Sequence, residues 1–196
     1  FVVGLDEVGR GPLAGPVVAA AVCVAAQLEV KSEKLKVWGN IRDSKKLTAR
    51  QREKWYEILT KDKNIKWGVG AVSQKVIDEI NILEATKLAM KKALENLRVE
   101  PDFLLLDGNF LLEDLNISQK AMTRGDEKIF SVAAASVVAK VTRDRLMRKY
   151  HQKFPLYGFD AHKGYGTKKH FAALRLHGPC SLHRFSFKPI RTLAKK

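Results

Sequence analysis

The stretch GLDEVGRGPLAGP, residues 4–16, limits what the rest of the chain can build more than any other. The apolar Phe1, Val2 and Val3 lead into two adjacent acids, Asp6 and Glu7, after which the chain breaks into a turn holding one arginine between glycines, Gly9, Arg10 and Gly11. Carboxylates beside an apolar strand are costly unless their charge is compensated, and the nearest cation in sequence is that single arginine. A divalent metal is the fitting partner. Glycines without a Cβ also let backbone N–H groups come close to a phosphate or a sugar. The stretch therefore reads as a metal-dependent site acting on a phosphate-bearing substrate, against the alternative of a strand that ends in a solvated acidic turn.

Charge narrows the substrate. The net charge is +15, and residues 140–196 carry 15 Lys and Arg against Asp144 and Asp160 alone. A polyanion is the expected partner, with nucleic acid ahead of an acidic membrane because no basic amphipathic anchor stands out. No apolar run approaches the roughly 20 residues of a membrane span, and no leader pattern precedes the first strand. Cys23 and Cys180 lie far apart with no metal-ligand spacing around them, so a reducing cytoplasm is the expected setting. The 196 residues suit one buried α/β domain, with a core over about 1–150 and a basic, helical, substrate-binding extension over about 151–196.

The chain in order predicts a strand over 2–8 and a second apolar run over 17–25. Thr48 and Gln51 have capping-box spacing ahead of a helix over 48–59. Residues 65–72 alternate as a strand. Ile82, Ala85, Ala89, Met90, Ala93 and Leu97 keep helical spacing up to Pro101. The run FLLL at 103–106 predicts a strand covered on both faces, ending in Asp107, and a weaker strand falls at 117–122. A long helix over 130–150 and a short one over 168–176, closed by Gly178, complete the pattern.

Open α/β sheets place ligands outside the carboxyl ends of their strands. Asp6, Glu7 and Asp107 stand at such ends, and Asp126 stands just before the long helix. Two divalent ions about 3.5–4 Å apart need several such oxygens to activate a water and stabilise the leaving oxygen of a phosphodiester. One tension is visible, since adjacent residues on a regular strand face opposite ways, and Asp6 and Glu7 share a site only if the strand ends or distorts there. Asp144 competes for the fourth position. It lies inside a helix between Arg143 and Arg145, which predicts local pairing and a structural role.

Seven motifs in order, DEVGRGPLAGP (6–16), DSKKL (43–47), NILEAT (81–86), LLLDG (104–108), RGDEKIFSVAAASVVAKVTRD (124–144), HKGYGT (162–167) and LHRFSF (182–187), resemble bacterial ribonuclease HII over nearly the whole chain. The resemblance implies an RNase H-like fold, a central mixed sheet flanked by helices. It implies endonucleolytic hydrolysis on the 5′ side of a ribonucleotide, in RNA/DNA hybrids and in duplex DNA with embedded ribonucleotides, leaving 3′-hydroxyl and 5′-phosphate ends and serving ribonucleotide removal in replication and repair. It makes Asp6, Glu7, Asp107 and Asp126 the ligands of two Mg2+ or Mn2+ ions, with Asp6 bridging both, and Gly9, Arg10, Gly11, Lys45 and Tyr165 the substrate-binding residues of a monomer. Arg124 stands where the family often has lysine. The related class with an added N-terminal domain is disfavoured because the catalytic strand opens the chain. Two rival readings stand beside it: a non-catalytic nucleic-acid binder, which leaves the four acids unexplained, and another two-metal nuclease of similar sheet architecture.

Overall fold

The structure is a computed structural model that describes residues 1–24, 41 and 47–193. The described elements run β1 (Val2–Val8), β2 (Val17–Val24), α1 (Ala49–Lys61), β3 (Ile65–Val72), α2 (Gln74–Leu97), β4 (Phe103–Asp107), β5 (Ser118–Met122), α3 (Gly125–Lys128) and α4 (Phe130–Lys153). A 3-10 turn (Pro155–Tyr157), α5 (Phe159–His162), α6 (Lys168–His177) and α7 (Lys188–Leu193) follow. The strands form one five-stranded sheet in the order β3-β2-β1-β4-β5. β1 runs antiparallel to β2 and parallel to β4, β2 and β3 are antiparallel, and β4 and β5 are parallel. This is the mixed sheet flanked by helices that the motif set implies.

The two faces of the sheet follow from the period-2 alternation of β2, whose VVAAAVCV leaves no polar side chain to expose. Val17, Ala19, Ala21 and Cys23 pack with Ala85, Ala89, Met90 and Ala93 of α2. Ala20 and Val22 pack on the other face with the alanine- and valine-rich run of α4. Each fully buried Val or Leu in such a layer contributes about 1.5–3 kcal/mol. The small alanines let both helices lie close to the strand.

Three local outcomes differ from the sequence pattern. α2 begins at Gln74 rather than near Ile82, and Asn81 interrupts it with φ 69° and ψ 169°. The Asn81 side-chain oxygen accepts from the backbone N–H of Leu83 and Glu84 at 2.9 and 3.1 Å, so the helical spacing read from Ile82 onward starts at a cap inside a longer element. β4 is buried on one face only, through Leu104 and Leu106, with Phe103 and Leu105 half-buried. The third difference concerns the basic C-terminal third, because Arg143 and Arg184 are fully buried and unavailable to an outside phosphate. The C-terminal helices also share a core with the start of the chain, where Leu13 and Ala14 pack with Met147, Phe159, Leu174, Leu182 and Ile190. The capping box of Thr48 and Gln51 forms as the sequence predicts.

Candidate active site

β1 is the middle strand, and its parallel pairing with β4 ends at Leu5 and Leu106, leaving Asp6 and Asp107 side by side just past the paired stretch. Asp107 then reaches across to α3. Its Oδ1 accepts the Gly125 N–H at 2.8 Å, which brings the next residue, Asp126, to the same place. One carboxylate oxygen from each of Asp6, Asp107 and Asp126 lies within 4.8 Å of the others. Asp6 and Asp126 are buried, at 5% and 0% exposure, and Asp107 is half-buried.

β1 stays regular through Val8, which pairs with Val18, so the tension between Asp6 and Glu7 is not relieved by a break in the strand. Glu7 lies outside the aspartate trio but lines the same cleft. Its Oε1 accepts from Arg10 at 3.3 Å, and its buried Oε2 has no hydrogen-bond partner among the described residues. Asp144, the competing candidate, is held away by Lys140 at 2.9 Å, a local ion pair one helical turn back.

Electrostatics single out Asp6. Burial raises its carboxyl well above the usual range, the charges of Glu7 and Asp107 raise it further, and a hydrogen bond with Ser136 opposes them. Burial raises Glu7 as well, against the pull of Arg10. Packed acids whose charged forms are disfavoured, among hard oxygen donors, fit a divalent cation such as Mg2+ or Mn2+.

The cleft that holds these acids has a volume of about 580 Å³ and is also lined by Val8, Gly9, Arg10, Gly11, Arg52, Ser136, Lys140 and Tyr165. Gly9 has φ +96°, and a Cβ there would meet the Arg143 guanidinium at 2.2 Å, so only glycine fits. Gly11 has open space in front of it, with the Tyr165 ring 4.0 Å from where a Cβ would stand. Tyr165 is 40% exposed and Arg143 lies under its ring, 5.9 Å from the centroid.

Two buried arginines shape the loop of residues 9–16. Arg143 donates to the carbonyls of Pro16, Lys163 and Ala14 at 2.9, 3.0 and 3.2 Å. Arg184 donates to Gly15, Arg10 and Gly9 carbonyls, with Nη2 on Gly9 at 2.6 Å. A guanidinium presents five donors in a fixed fork, which suits a loop whose carbonyls converge. Backbone bonds from Leu13 to Gly164, Gly15 to Leu182 and Arg184 to Leu13 complete the enclosure.

Of the expected site residues, the cleft therefore gathers Asp6, Glu7, Gly9, Arg10, Gly11, Asp107 and Tyr165, with Asp126 joined through the trio. Lys45 lies outside the described residues. Sequence reasoning missed Ser136, Lys140 and Arg52 in the lining and the two clamping arginines. Ser136 and Lys140 carried a signal, polar residues one turn apart in a run of alanines and valines. Arg184 carried none beyond its place between apolar residues in the tail.

A mixed five-stranded sheet with helices on both faces and clustered carboxylates at parallel strand ends defines an RNase H-like nuclease fold. The chain belongs to the ribonuclease HII family, whose model matches residues 3–190, and it is accordingly a ribonuclease H enzyme. It is 55% identical over 191 residues to ribonuclease HII of Chlamydia caviae, covering 97% of this chain and 85% of that one. Against ribonuclease HII of Caldicellulosiruptor bescii the identity is 50% over 187 residues, 95% and 86% of the two chains. The crystal structure of the ribonuclease H2 from Pyrococcus horikoshii OT3 superposes with a TM-score of 0.79 at 30% identity, over 99% of this chain and 97% of that one.

Proposed function

We propose that this chain hydrolyses the phosphodiester on the 5′ side of a ribonucleotide, in RNA/DNA hybrids and in duplex DNA with embedded ribonucleotides, leaving 3′-hydroxyl and 5′-phosphate ends. The observation that carries this reading is the meeting, in one cleft, of Asp6 and Asp107, with Asp126 beside them, and the Gly9, Arg10, Gly11 turn and Tyr165. The trio supports metal-dependent phosphodiester chemistry, while the turn and the tyrosine offer a backbone and a ring to a sugar.

Asp6, Asp107 and Asp126, with Glu7 at their side, would hold two divalent ions. Such ions supply Lewis acidity, lowering the pKa of an attacking water and stabilising the leaving oxygen. The remaining work belongs to the protein. Ser136 orients the Asp6 carboxyl, and the Gly125 N–H fixes Asp107. Arg10 holds Glu7 and stays exposed enough to meet a phosphate as well. Carbonyls of the 9–16 loop point inward to Arg143 and Arg184, which holds the Gly9 and Arg10 backbone at the edge of the cleft. The Tyr165 ring stands across from Gly11, and a sugar between them meets a flat apolar surface on one side and backbone polar groups on the other. Only a 2′-hydroxyl distinguishes RNA from DNA at that place.

The chain is read as one domain and a monomer acting in the cytoplasm on nucleic acid, with residues 151–196 contributing Tyr165 and exposed lysines such as Lys168 and Lys169 to the substrate face. Among the described residues no helix is long and apolar enough to cross a membrane. The test is cleavage of a labelled duplex with one ribonucleotide by wild type and Asp107→Asn, each in Mg2+ and in EDTA. Cutting 5′ of the ribonucleotide by wild type in Mg2+ alone is the expected result. Wild-type activity that persists in EDTA, or an undiminished Asp107→Asn enzyme, contradicts the reading.

A further inference from the structure

Behind Tyr165, away from the cleft, lies a cluster that the chemistry above does not use. His162, His170 and His183 pack together with Tyr157 and Phe159, and His162 stacks on His170 at 4.4 Å between centroids. His170 and His183 are fully buried. Their nitrogens all have partners, and those partners decide where each proton sits.

The Tyr165 carbonyl lies 3.0 Å from His170 Nδ1 and can only accept, so Nδ1 carries the proton. In a neutral ring His170 Nε2 is then bare. It faces His183 Nε2 at 3.0 Å, and that nitrogen must be the donor. His183 Nδ1 is bare in turn, and its one lone pair takes the Cys180 N–H that points at it from 2.9 Å. The Cys180 carbonyl, 3.2 Å away, would need a proton on that same nitrogen, and the N–H already there excludes one. Both rings are kept neutral by burial, with pKa values pushed down to about 4. Every donor in the series meets one acceptor.

We propose that His170 and His183 are positioning residues for this enzyme: a one-way hydrogen-bond relay from Cys180 through His183 and His170 ends on the Tyr165 carbonyl and holds the tyrosine ring at Gly11. The rest of the Tyr165 backbone is already tied locally, its N–H to the His162 carbonyl at 2.9 Å and its carbonyl to the Thr167 N–H at 2.8 Å. Those bonds close a short turn and move with it. Leu13 bridges Gly164 and Arg184 through the backbone, and the relay adds a direct side-chain tie from the Tyr165 carbonyl to the segment carrying Arg184, which clamps the opposite wall of the cleft at Gly9 and Arg10. One segment, residues 180–184, thereby sets both sides of the gap in which a ribonucleotide would lie. The inference rests on the reading of Tyr165 as the residue that meets the ribonucleotide.

The experiment is single-turnover cleavage of a single-ribonucleotide duplex in Mg2+, with binding to the same duplex measured in Ca2+. The proteins are wild type, Tyr165→Ala, His170→Leu, His170→Asn and the double variant Tyr165→Ala/His170→Leu. His170→Leu is expected to lose about tenfold to 100-fold in rate through misplacement of the ring, with binding almost unchanged. His170→Asn, whose amide nitrogen occupies the Nδ1 position but which has nothing at Nε2 to meet His183, keeps the bond to the Tyr165 carbonyl and loses the tie to residues 180–184. It should recover only part of the lost rate, and full recovery would overturn the relay. In the Tyr165→Ala background the leucine should cost nothing more, since it acts through the residue already removed. Full activity of Tyr165→Ala overturns the reading of Tyr165 and the relay with it. A Tyr165→Ala defect beside a fully active His170→Leu overturns the relay alone, as does an added loss in the double variant. Should the leucine variant not fold, nitrogen NMR of the wild-type imidazoles decides: the relay requires His170 as the Nδ1–H tautomer and His183 as the Nε2–H tautomer, and the opposite assignment refutes it.

Discussion

Replacing Arg184 with methionine removes the clamp on the glycine turn without changing the length of the side chain much. The guanidinium serves three carbonyls, those of Gly9, Arg10 and Gly15, through four hydrogen bonds of 2.6–3.0 Å. A buried acceptor left without a donor costs about 1–3 kcal/mol, which puts the floor for three of them near 3 kcal/mol. The gross sum is larger, but burial, and then Arg143, already push the Arg184 pKa down to about 9, so its charge is held at a cost that the variant recovers. A net loss of about 3–5 kcal/mol, the lower part of the gross range for three orphaned acceptors, is expected. For a chain of this length each kcal/mol lowers the melting temperature by about 2–4 °C, so a fall of roughly 6–20 °C is expected in a calorimetric melt. Cleavage of a single-ribonucleotide duplex, assayed well below that melt, should drop more than binding, because the turn is free to leave the scissile sugar. A variant that melts within 2 °C of wild type, taking about 1 kcal/mol as the smallest informative loss, and that cuts normally would refute the clamp.

Asp6→Asn should abolish most metal-dependent turnover, by about 10²–10³-fold, yet raise the melting temperature of the metal-free protein. The sign follows from a carboxyl raised well above its usual range, which destabilises the fold when charged at neutral pH; a lower apo melting temperature would contradict it. Burial holds His170 and His183 at about 4, below their ordinary 6.5, so the folded state binds fewer protons than the unfolded one between those values. Stability present above pH 6.5 is then lost as pH falls toward 4, and melts across that window should decline less steeply in His170→Asn than in wild type; parallel curves would remove the imidazole from the cause. Lys168→Gln with Lys169→Gln should flatten the salt dependence of substrate binding by about 0.9 in log–log slope for each phosphate that is no longer neutralised, while an unchanged slope would place the nucleic acid elsewhere.

Much of this architecture is legible in the chain because it rests on short-range pattern. The unbroken apolar run of β2, the Thr48 and Gln51 cap and the alanine-rich stretch of α4 each record the environment of their own residues. Asp6 and Asp107 are readable for the same reason, as acids that close apolar runs, although only Asp107 ends its strand. The clamp is not, since Arg184 and Gly9 are 175 positions apart in sequence and nothing local marks a buried arginine. A charge count places Arg143 and Arg184 with the surface cations, because lysine and arginine are almost never fully buried unless paired. The same burial changes a further experiment: deleting the tail from Leu182 would remove His183, Arg184 and the buried Ile190 from the core, so the lysine pair in α6 is the cleaner probe of phosphate binding. The histidine cluster is invisible in the sequence because three separated histidines show no spacing that a ligand site or a helix face would impose.

The central claim, that this cleft cuts where it finds a 2′-hydroxyl, is tested most directly by two duplexes identical except for one oxygen. One strand carries a single ribonucleotide and its twin the matching deoxyribonucleotide, and single-turnover cleavage of each is followed in Mg2+ at one salt concentration. A site that hydrogen-bonds a hydroxyl rejects the analogue lacking it by about 10⁴-fold or more. The account expects a cut on the 5′ side of the ribonucleotide and none at the matched position in the all-DNA duplex. Comparable cutting of both duplexes would contradict it.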